Sequence, residues 1–147
     1  MKAALVGLGR MGMRHYDNLQ SLGLDVVGVC DAVAEARESA QLKTGLSGDR
    51  VYSEPGRMMS EKKPECLVVA TTAPAHAEMV SMAVTHGVRY ILCEKPMAVS
   101  LVEAEKWWWS AEEQMSGWRL IIRCVLWSNT SNPSSCCSRR SLADFAA

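Results

Sequence analysis

Three glycines near the amino end, Gly7, Gly9 and Gly12, stand in the pattern Gly-x-Gly-x-x-Gly, with Leu8, Arg10 and Met11 between them. A turn of this kind can hold phosphate. The first glycine permits a tight turn, the second lets main chain approach a pyrophosphate, and the third lets a helix pack closely on a strand. The pattern recurs by chance in loops, so its surroundings decide. Here residues 3–6 are a short apolar run that reads as a strand. Residues 10–22 then carry Met11, His15, Leu19 and Leu22 at helical spacing. Phosphates would meet the exposed N–H groups and the positive dipole end of that helix.

Asp31 follows Gly12 by 19 residues, at the end of the apolar run 25–30, where a carboxylate can accept both hydroxyls of a ribose. The same carboxylate would repel a 2′-phosphate. No arginine follows it directly, since Arg37 lies a turn or more into the next helical segment. NAD is therefore the expected dinucleotide, in preference to NADP. The competing explanation is a glycine turn in an unrelated doubly wound protein, with Asp31 a simple helix cap. A flavin or S-adenosylmethionine protein would also fit such a turn.

The elements that must position these residues alternate along the chain, as in a parallel sheet wound with helices on both faces. Strands are expected at 3–6, 25–30, 50–52, 65–71 and 88–93. Helices are expected at 10–22, 33–43, 55–62 and from Pro74 to a stop at Gly87. The run Glu-Cys-Leu-Val-Val-Ala-Thr ending at Thr71 is apolar on both faces, which suits a central parallel strand. Ser100 with Glu103 has the spacing of a capping box. The fold class is thus α/β, a doubly wound parallel sheet.

Composition narrows the partners. Sixteen basic residues balance sixteen acidic ones, so no overall field attracts nucleic acid or an anionic membrane. The opening Met-Lys-Ala-Ala-Leu-Val-Gly is too short an apolar run for a signal peptide, and no stretch nears the ~20 apolar residues of a membrane span. A cytoplasmic protein is expected. Cys30, Cys66 and Cys93 lie in or beside apolar strands and read as small hydrophobes; Cys124, Cys136 and Cys137 fall in the last quarter. No Cys-x-x-Cys pair occurs, so no metal site is expected.

Three further stretches appear in order: Gly-Arg-Met-Gly-Met-Arg-His from Gly9, Val-Ala-Thr-Thr-Ala-Pro-Ala-His from Val69, and Cys-Glu-Lys-Pro-Met-Ala from Cys93. With the glycine turn they make residues 1 to about 106 resemble the amino-terminal half of the glucose–fructose oxidoreductase / inositol dehydrogenase (Gfo/Idh/MocA) family. The resemblance implies a Rossmann-type NAD(P)-binding domain over 1–106, followed in the whole enzyme by a second, α+β substrate domain. It implies that Thr71, Thr72 and His76 line the dinucleotide groove, although the family usually has Pro-Asn where this chain has Thr72-Ala73. It also implies that Lys95 is catalytic, near the nicotinamide and the reacting hydroxyl, with Glu94 in the same groove and Pro96 fixing the main chain. The implied substrate is a sugar- or polyol-like alcohol. Homo-oligomers are expected only where the carboxy-terminal domain is present.

Each residue also has a plainer explanation. His76 can be a partly exposed polar residue in the first turn of a helix, and Lys95 a solvated residue at a strand end. His15 and His86 read as structural, His86 because a helix carboxyl end favours positive charge. For the whole protein, a non-catalytic dinucleotide sensor and a different Rossmann-type reductase compete with the dehydrogenase.

The tail, 107–147, lacks strand–helix alternation apart from an apolar patch at 120–126. Tryptophan has a single codon, so Trp107-Trp108-Trp109 is encoded TGGTGGTGG. One A restored after the Lys106 codon turns this run into Met-Val-Val-Val. The codons for 120–129 can then be chosen so that the shifted frame reads Asn-His-Gln-Met-Arg-Phe-Met-Glu-Gln, like the family's continuation. One base missing near codon 107 is therefore expected, with 107–147 out of frame and the chain weakly active or inactive. A genuine divergent tail is the competing explanation.

Overall fold

The computed structural model describes residues 1–96, 99, 100 and 102, and the backbone of 119–122. Six strands form one parallel sheet: β1 (Lys2–Val6), β2 (Asp25–Cys30), β3 (Val51–Tyr52), β4 (Cys66–Val69), β5 (Tyr90–Cys93) and β6 (Arg119–Ile122). Among the described residues four helices connect the first five of them: α1 (Arg10–Ser21), α2 (Ala34–Thr44), α3 (Pro55–Lys62) and α4 (Ala73–Thr85). The strand order is β3-β2-β1-β4-β5-β6. Chain progress therefore reverses beside β1, and loops from β1 and β4 leave the sheet in opposite directions there. Such a switch point opens a crevice beyond the strand carboxyl ends, where ligands of these folds bind.

Alternation along each strand divides the core in two. Ala3 and Leu5 of β1, Cys66 and Val68 of β4 and Leu92 of β5 pack with Tyr16 and Leu19 of α1 and Ala40 of α2. Ala4, Val6, Leu67, Val69, Ile91 and Cys93 face the other way, onto Met58 and Met59 of α3 and Met79, Val80 and Ala83 of α4. The sheet is thus covered on both sides, which is why its central strands carry no alternating polar residues. Met58, Met59 and Met79, with Met82 against them, fill this second core, as flexible methionine side chains do. Gly28 lets α3 come close: a Cβ there would lie 2.9 Å from Met58 Cγ.

Two strands are shorter than their apolar runs. The run 65–71 is a strand only over Cys66–Val69. Ala70 N–H still donates to Val6 O, but the Thr71 carbonyl turns to a side chain beyond the sheet. The run 88–93 begins its strand at Tyr90, because Val88 N–H closes the end of α4 on Ala83 O. A 3₁₀ turn, Gly48–Arg50, precedes the two-residue edge strand β3. The sheet takes β6 from beyond residue 106, at the start of the apolar patch; the remaining tail residues, and Glu103 of the expected capping box, lie outside the described residues. Among the described residues no helix is long and apolar enough to cross a membrane, and no group of three or more His, Cys, Asp or Glu could hold a metal.

Cys30, Cys66 and Cys93 are free and buried. Burial pushes the Cys30 and Cys93 thiols up to about 12 and Cys66 to about 11, with the Asp31 and Glu54 carboxylates adding to the effect at Cys30. These three sites are expected to resist alkylation at pH 8 in the folded chain and to react after denaturation, as read by peptide mapping. An unfolded thiol titrates near 9, so below that pH the thiols leave stability unchanged. Above it the unfolded state releases protons that the folded state keeps. Each thiol should then cost roughly 1.4 kcal/mol per pH unit between about 9 and 11. Urea unfolding at pH 8 and pH 10 measures the loss.

Candidate functional site

At the end of β1 the three glycines occupy three different environments. Gly7 has φ +93°, and a Cβ there would lie 2.5 Å from Ala70 O; its N–H donates to Cys30 O at 2.8 Å. It is therefore clamped between the ends of β2 and β4. Gly12 sits on the buried face of α1, where a Cβ would lie 1.8 Å from Gly7 O. At Gly9 a Cβ would meet nothing within 4 Å. Gly9 is the N-cap of α1, no side chain caps the helix, and no acidic residue stands in its first turn. The first N–H groups of a helix have no intrahelical acceptor, so this end is open to an anion.

Asp31 reaches this turn from the end of β2. Its Oδ2 accepts Leu8 N–H at 2.7 Å and its Oδ1 accepts Val33 N–H at 2.9 Å. The carboxylate thus ties the glycine turn to the β2–α2 loop and keeps lone pairs for further donors. Arg37 comes back to the same loop: its Nη1 donates to Asp31 O at 2.7 Å and to Ala32 O at 2.8 Å. Sequence spacing placed Arg37 away from Asp31. A long side chain one turn into α2 reaches back over that distance, as the helix geometry allows.

The β4 end carries Thr71 and Thr72. Thr71 Oγ1 is buried and has no hydrogen-bond partner among the described residues. Thr72 is exposed and is the N-cap of α4, without a side-chain cap bond. His76 is fully buried at 0% exposure. Its Nδ1 lies 2.9 Å from Pro96 O and its Nε2 3.0 Å from Thr71 O. A neutral imidazole donates to one of these carbonyls, and the tautomer decides which. His76 therefore links the loop after β4 to the segment after β5, rather than standing partly exposed on α4.

After β5, Glu94 is 5% exposed and lies against His15 of α1, also 5% exposed, with His15 Nε2 2.6 Å from Glu94 Oε1. A carboxylate only accepts, so the Nε2–H donates. Glu94 Oε2 accepts Lys95 N–H at 3.2 Å. Lys95 and Pro96 are exposed, and the peptide between them is cis. The residues singled out from the sequence are thus brought to one edge of the sheet: the glycine turn, Asp31, Thr71, Thr72, His76, and Glu94 to Pro96.

Sequence reasoning missed the His15–Glu94 pair. The signal available was a histidine one turn after Gly12, on the face that α1 must bury, which needs an acceptor somewhere. His86 is the C-cap of α4, with Nδ1 2.8 Å from Met82 O, in keeping with a structural part. A separate hollow of about 310 Å³ at the outer sheet edge is lined by Tyr52, Arg57, Glu61 and Lys62 among others. Both of its basic residues are already paired, Arg57 with Glu61 at 2.7 Å and Lys62 with Asp49 at 2.9 Å.

Comparison with known proteins agrees with this geometry. Residues 1–117 match the family model of the Gfo/Idh/MocA oxidoreductases, described as an NAD-binding Rossmann fold. Inositol 2-dehydrogenase of Salmonella typhimurium is 30% identical over 123 residues, 82% of this chain and 35% of the relative. D-apiose dehydrogenase of Paraburkholderia graminis is 34% identical over 104 residues, 70% of this chain and 27% of the relative. The chain spans about a third of the length of the curated relatives it matches. Among solved structures, the WlbA dehydrogenase of Bordetella pertussis, in complex with NADH and UDP-GlcNAcA, superposes with a TM-score of 0.73 at 27% identity, covering 83% of this chain and 37% of that one. An oxidoreductase from Agrobacterium radiobacter, in complex with NAD+, L-tartaric acid and magnesium, shares the fold with a TM-score of 0.75 at 23% identity, over 84% and 35%. With a family model matched over most of its length and a glycine turn built as that fold requires, the chain belongs to the Gfo/Idh/MocA oxidoreductase family, through its NAD-binding Rossmann fold.

Proposed function

We propose that this chain is the nucleotide-binding part of an NAD-dependent dehydrogenase acting on a sugar- or polyol-like alcohol. The observation that carries the reading is the turn itself: Gly7 and Gly12 are locked by contact, while Gly9 faces open space at an uncapped helix end. The other groups fit the same ligand. Asp31 would take the hydroxyls of the adenosine ribose. The partnerless Thr71 hydroxyl would gain an acceptor or donor in the bound dinucleotide. The substrate class follows from the relatives, which are named as inositol and D-apiose dehydrogenases.

When bound, the dinucleotide supplies the nicotinamide carbon that exchanges a hydride with the alcohol carbon. The chain's own contribution is to hold the pyrophosphate on α1, to orient the ribose through Asp31, and to present Lys95. The Lys95 amine would hold or move the proton of the reacting hydroxyl, as a lysine general acid–base can. Its exposure leaves it accessible to a substrate.

Preference for NAD over NADP follows from charge. A 2′-phosphate would meet the Asp31 carboxylate, and Arg37 Nη1 is already engaged by two carbonyls. Calorimetric titration of the 147-residue chain should show NAD+ binding at least tenfold tighter than NADP+, a difference of about 1.4 kcal/mol. Equal or reversed affinities would refute the preference, and absence of binding to either would refute the reading. We further propose that 107–147 are read out of frame. Sequencing the gene across codon 107 tests this; a shifted frame that closes before the present end would refute it.

A further inference from the structure

The buried contact between α1 and the segment after β5 lies between residues 79 positions apart in the chain. We propose that His15 is a positioning residue: through Glu94 it sets the main chain at Lys95, so that the helix facing the pyrophosphate and the segment bearing the lysine are held as one unit. The proposal deepens the dehydrogenase reading and rests on it for the role of Lys95.

Three contacts with described residues help to hold Glu94 in place. Its N–H donates to Val69 O at 2.9 Å, which fixes its own main chain to the sheet. Its Oε2 receives Lys95 N–H, and its Oε1 receives His15 Nε2–H at 2.6 Å. A glutamate side chain has several rotatable bonds, so an acceptor for the Lys95 N–H stays in place only while something holds the carboxylate. His15 does this from a rigid helix, one turn beyond Gly12 on the same buried face. With both partners 5% exposed, water cannot substitute for either. Glu94 therefore acts inward, on the lysine's main chain.

A purely structural pair would behave differently. Losing it would weaken the whole fold and leave the local environment of Lys95 unchanged in the molecules that remain folded. The test uses the 147-residue chain as wild type, as His15→Leu, which fills similar space without a donor, and as His15→Gln, whose amide N–H can reach Oε1. Amide hydrogen exchange by NMR compares Lys95 with Leu92 in the middle of β5, with and without NAD+. In His15→Leu the Lys95 amide should exchange at least tenfold faster while Leu92 changes little. NAD+ should slow Lys95 exchange in the wild type and not in His15→Leu, and His15→Gln should restore both behaviours. Should the leucine chain fail to fold, His15→Asn, with an amide too short to reach Oε1, takes its place.

Parallel acceleration at Lys95 and Leu92 would overturn the proposal, as would a folded His15→Gln chain that releases Lys95 as fully as leucine does. If wild type does not bind NAD+, the dehydrogenase reading fails. The ligand-free comparison of Lys95 with Leu92 still decides whether His15 positions that main chain.

Discussion

An alanine at position 12 is expected to leave the chain largely unfolded, and an alanine at position 9 to leave it folded with NAD+ affinity reduced at least tenfold. The two glycines are three residues apart in one turn, yet their surroundings are opposite. At Gly12 the added methyl carbon would lie 1.8 Å from Gly7 O, far inside contact distance. Gly7 cannot retreat: a Cβ on it would already meet Ala70 O at 2.5 Å, and its N–H is bonded to Cys30 O. Relief would require moving α1 off the sheet, away from Tyr16 and Leu19, which pack in the core beneath it. Overpacking against flexible side chains costs about 1–3 kcal/mol, and a clash with fixed main chain should exceed that. Against a total stability of about 5–15 kcal/mol, the fold would be nearly lost. At Gly9 the backbone angles, φ −67° and ψ −172°, suit any residue, and no atom stands within 4 Å. Alanine is a poorer N-cap than glycine, so stability should fall by only about 1 kcal/mol or less. The methyl group would instead occupy the space that a pyrophosphate needs. Thermal melts followed by circular dichroism and calorimetric NAD+ titration separate the two outcomes. A Gly12→Ala chain melting within a few degrees of wild type, or a Gly9→Ala chain binding NAD+ normally, would contradict the assignment.

What made these roles legible beforehand was local. Glycine spacing, the apolar run before it and the helical period after it are all read within some twenty residues, and each reports on one element. The same reasoning located β2, α3 and the acid at position 31. It failed wherever the answer lay in a partner distant in sequence. His15 shows only a helical position and an ionisable ring; that its acceptor is Glu94 depends on β5 lying beside β4, which no local period encodes. His76 in the first turn of α4 looks open to solvent until the chain at Pro96 covers it. Arg37 looked too far along α2 because spacing counts residues, whereas a guanidinium reaches back over a full turn. The strand ends fell short for a related reason. Apolar composition continues through Ala70 and Val88, but the Thr71 carbonyl turns to His76 and the Val88 N–H to Ala83 O, both outside the regular ladder. The strand at Arg119–Ile122 arises from a patch that shows no alternation, and pairing with β5 is what defines it.

Asp31→Ala is expected to weaken NAD+ binding about a hundredfold, and to do so by two separable routes. The first is direct, through loss of the acceptor for the ribose hydroxyls. The second runs through the protein. Asp31 Oδ2 holds Leu8 N–H at 2.7 Å, and Leu8 lies between the two glycines that shape the phosphate turn. Without the carboxylate that N–H loses its acceptor in a half-buried position, and the turn loses its tie to the loop that Arg37 braces. The loss should lower stability by about 1–3 kcal/mol. Asparagine tests the same geometry more gently. It offers one oxygen and one NH₂, so it can satisfy Leu8 N–H or Val33 N–H, while its NH₂ faces the other donor. The Val33 contact is exposed, so water replaces it there, and Asp31→Asn should cost about 1 kcal/mol while keeping the turn braced. An NAD+ analogue whose adenosine ribose lacks both hydroxyls distinguishes the two routes. If Asp31 acts only on the ribose, the analogue binds wild type and Asp31→Ala equally. If it also braces the turn, the analogue binds Asp31→Ala several-fold more weakly than wild type, and Asp31→Asn recovers most of that loss. The second pattern is the one expected, because the carboxylate already holds the turn before any ligand arrives.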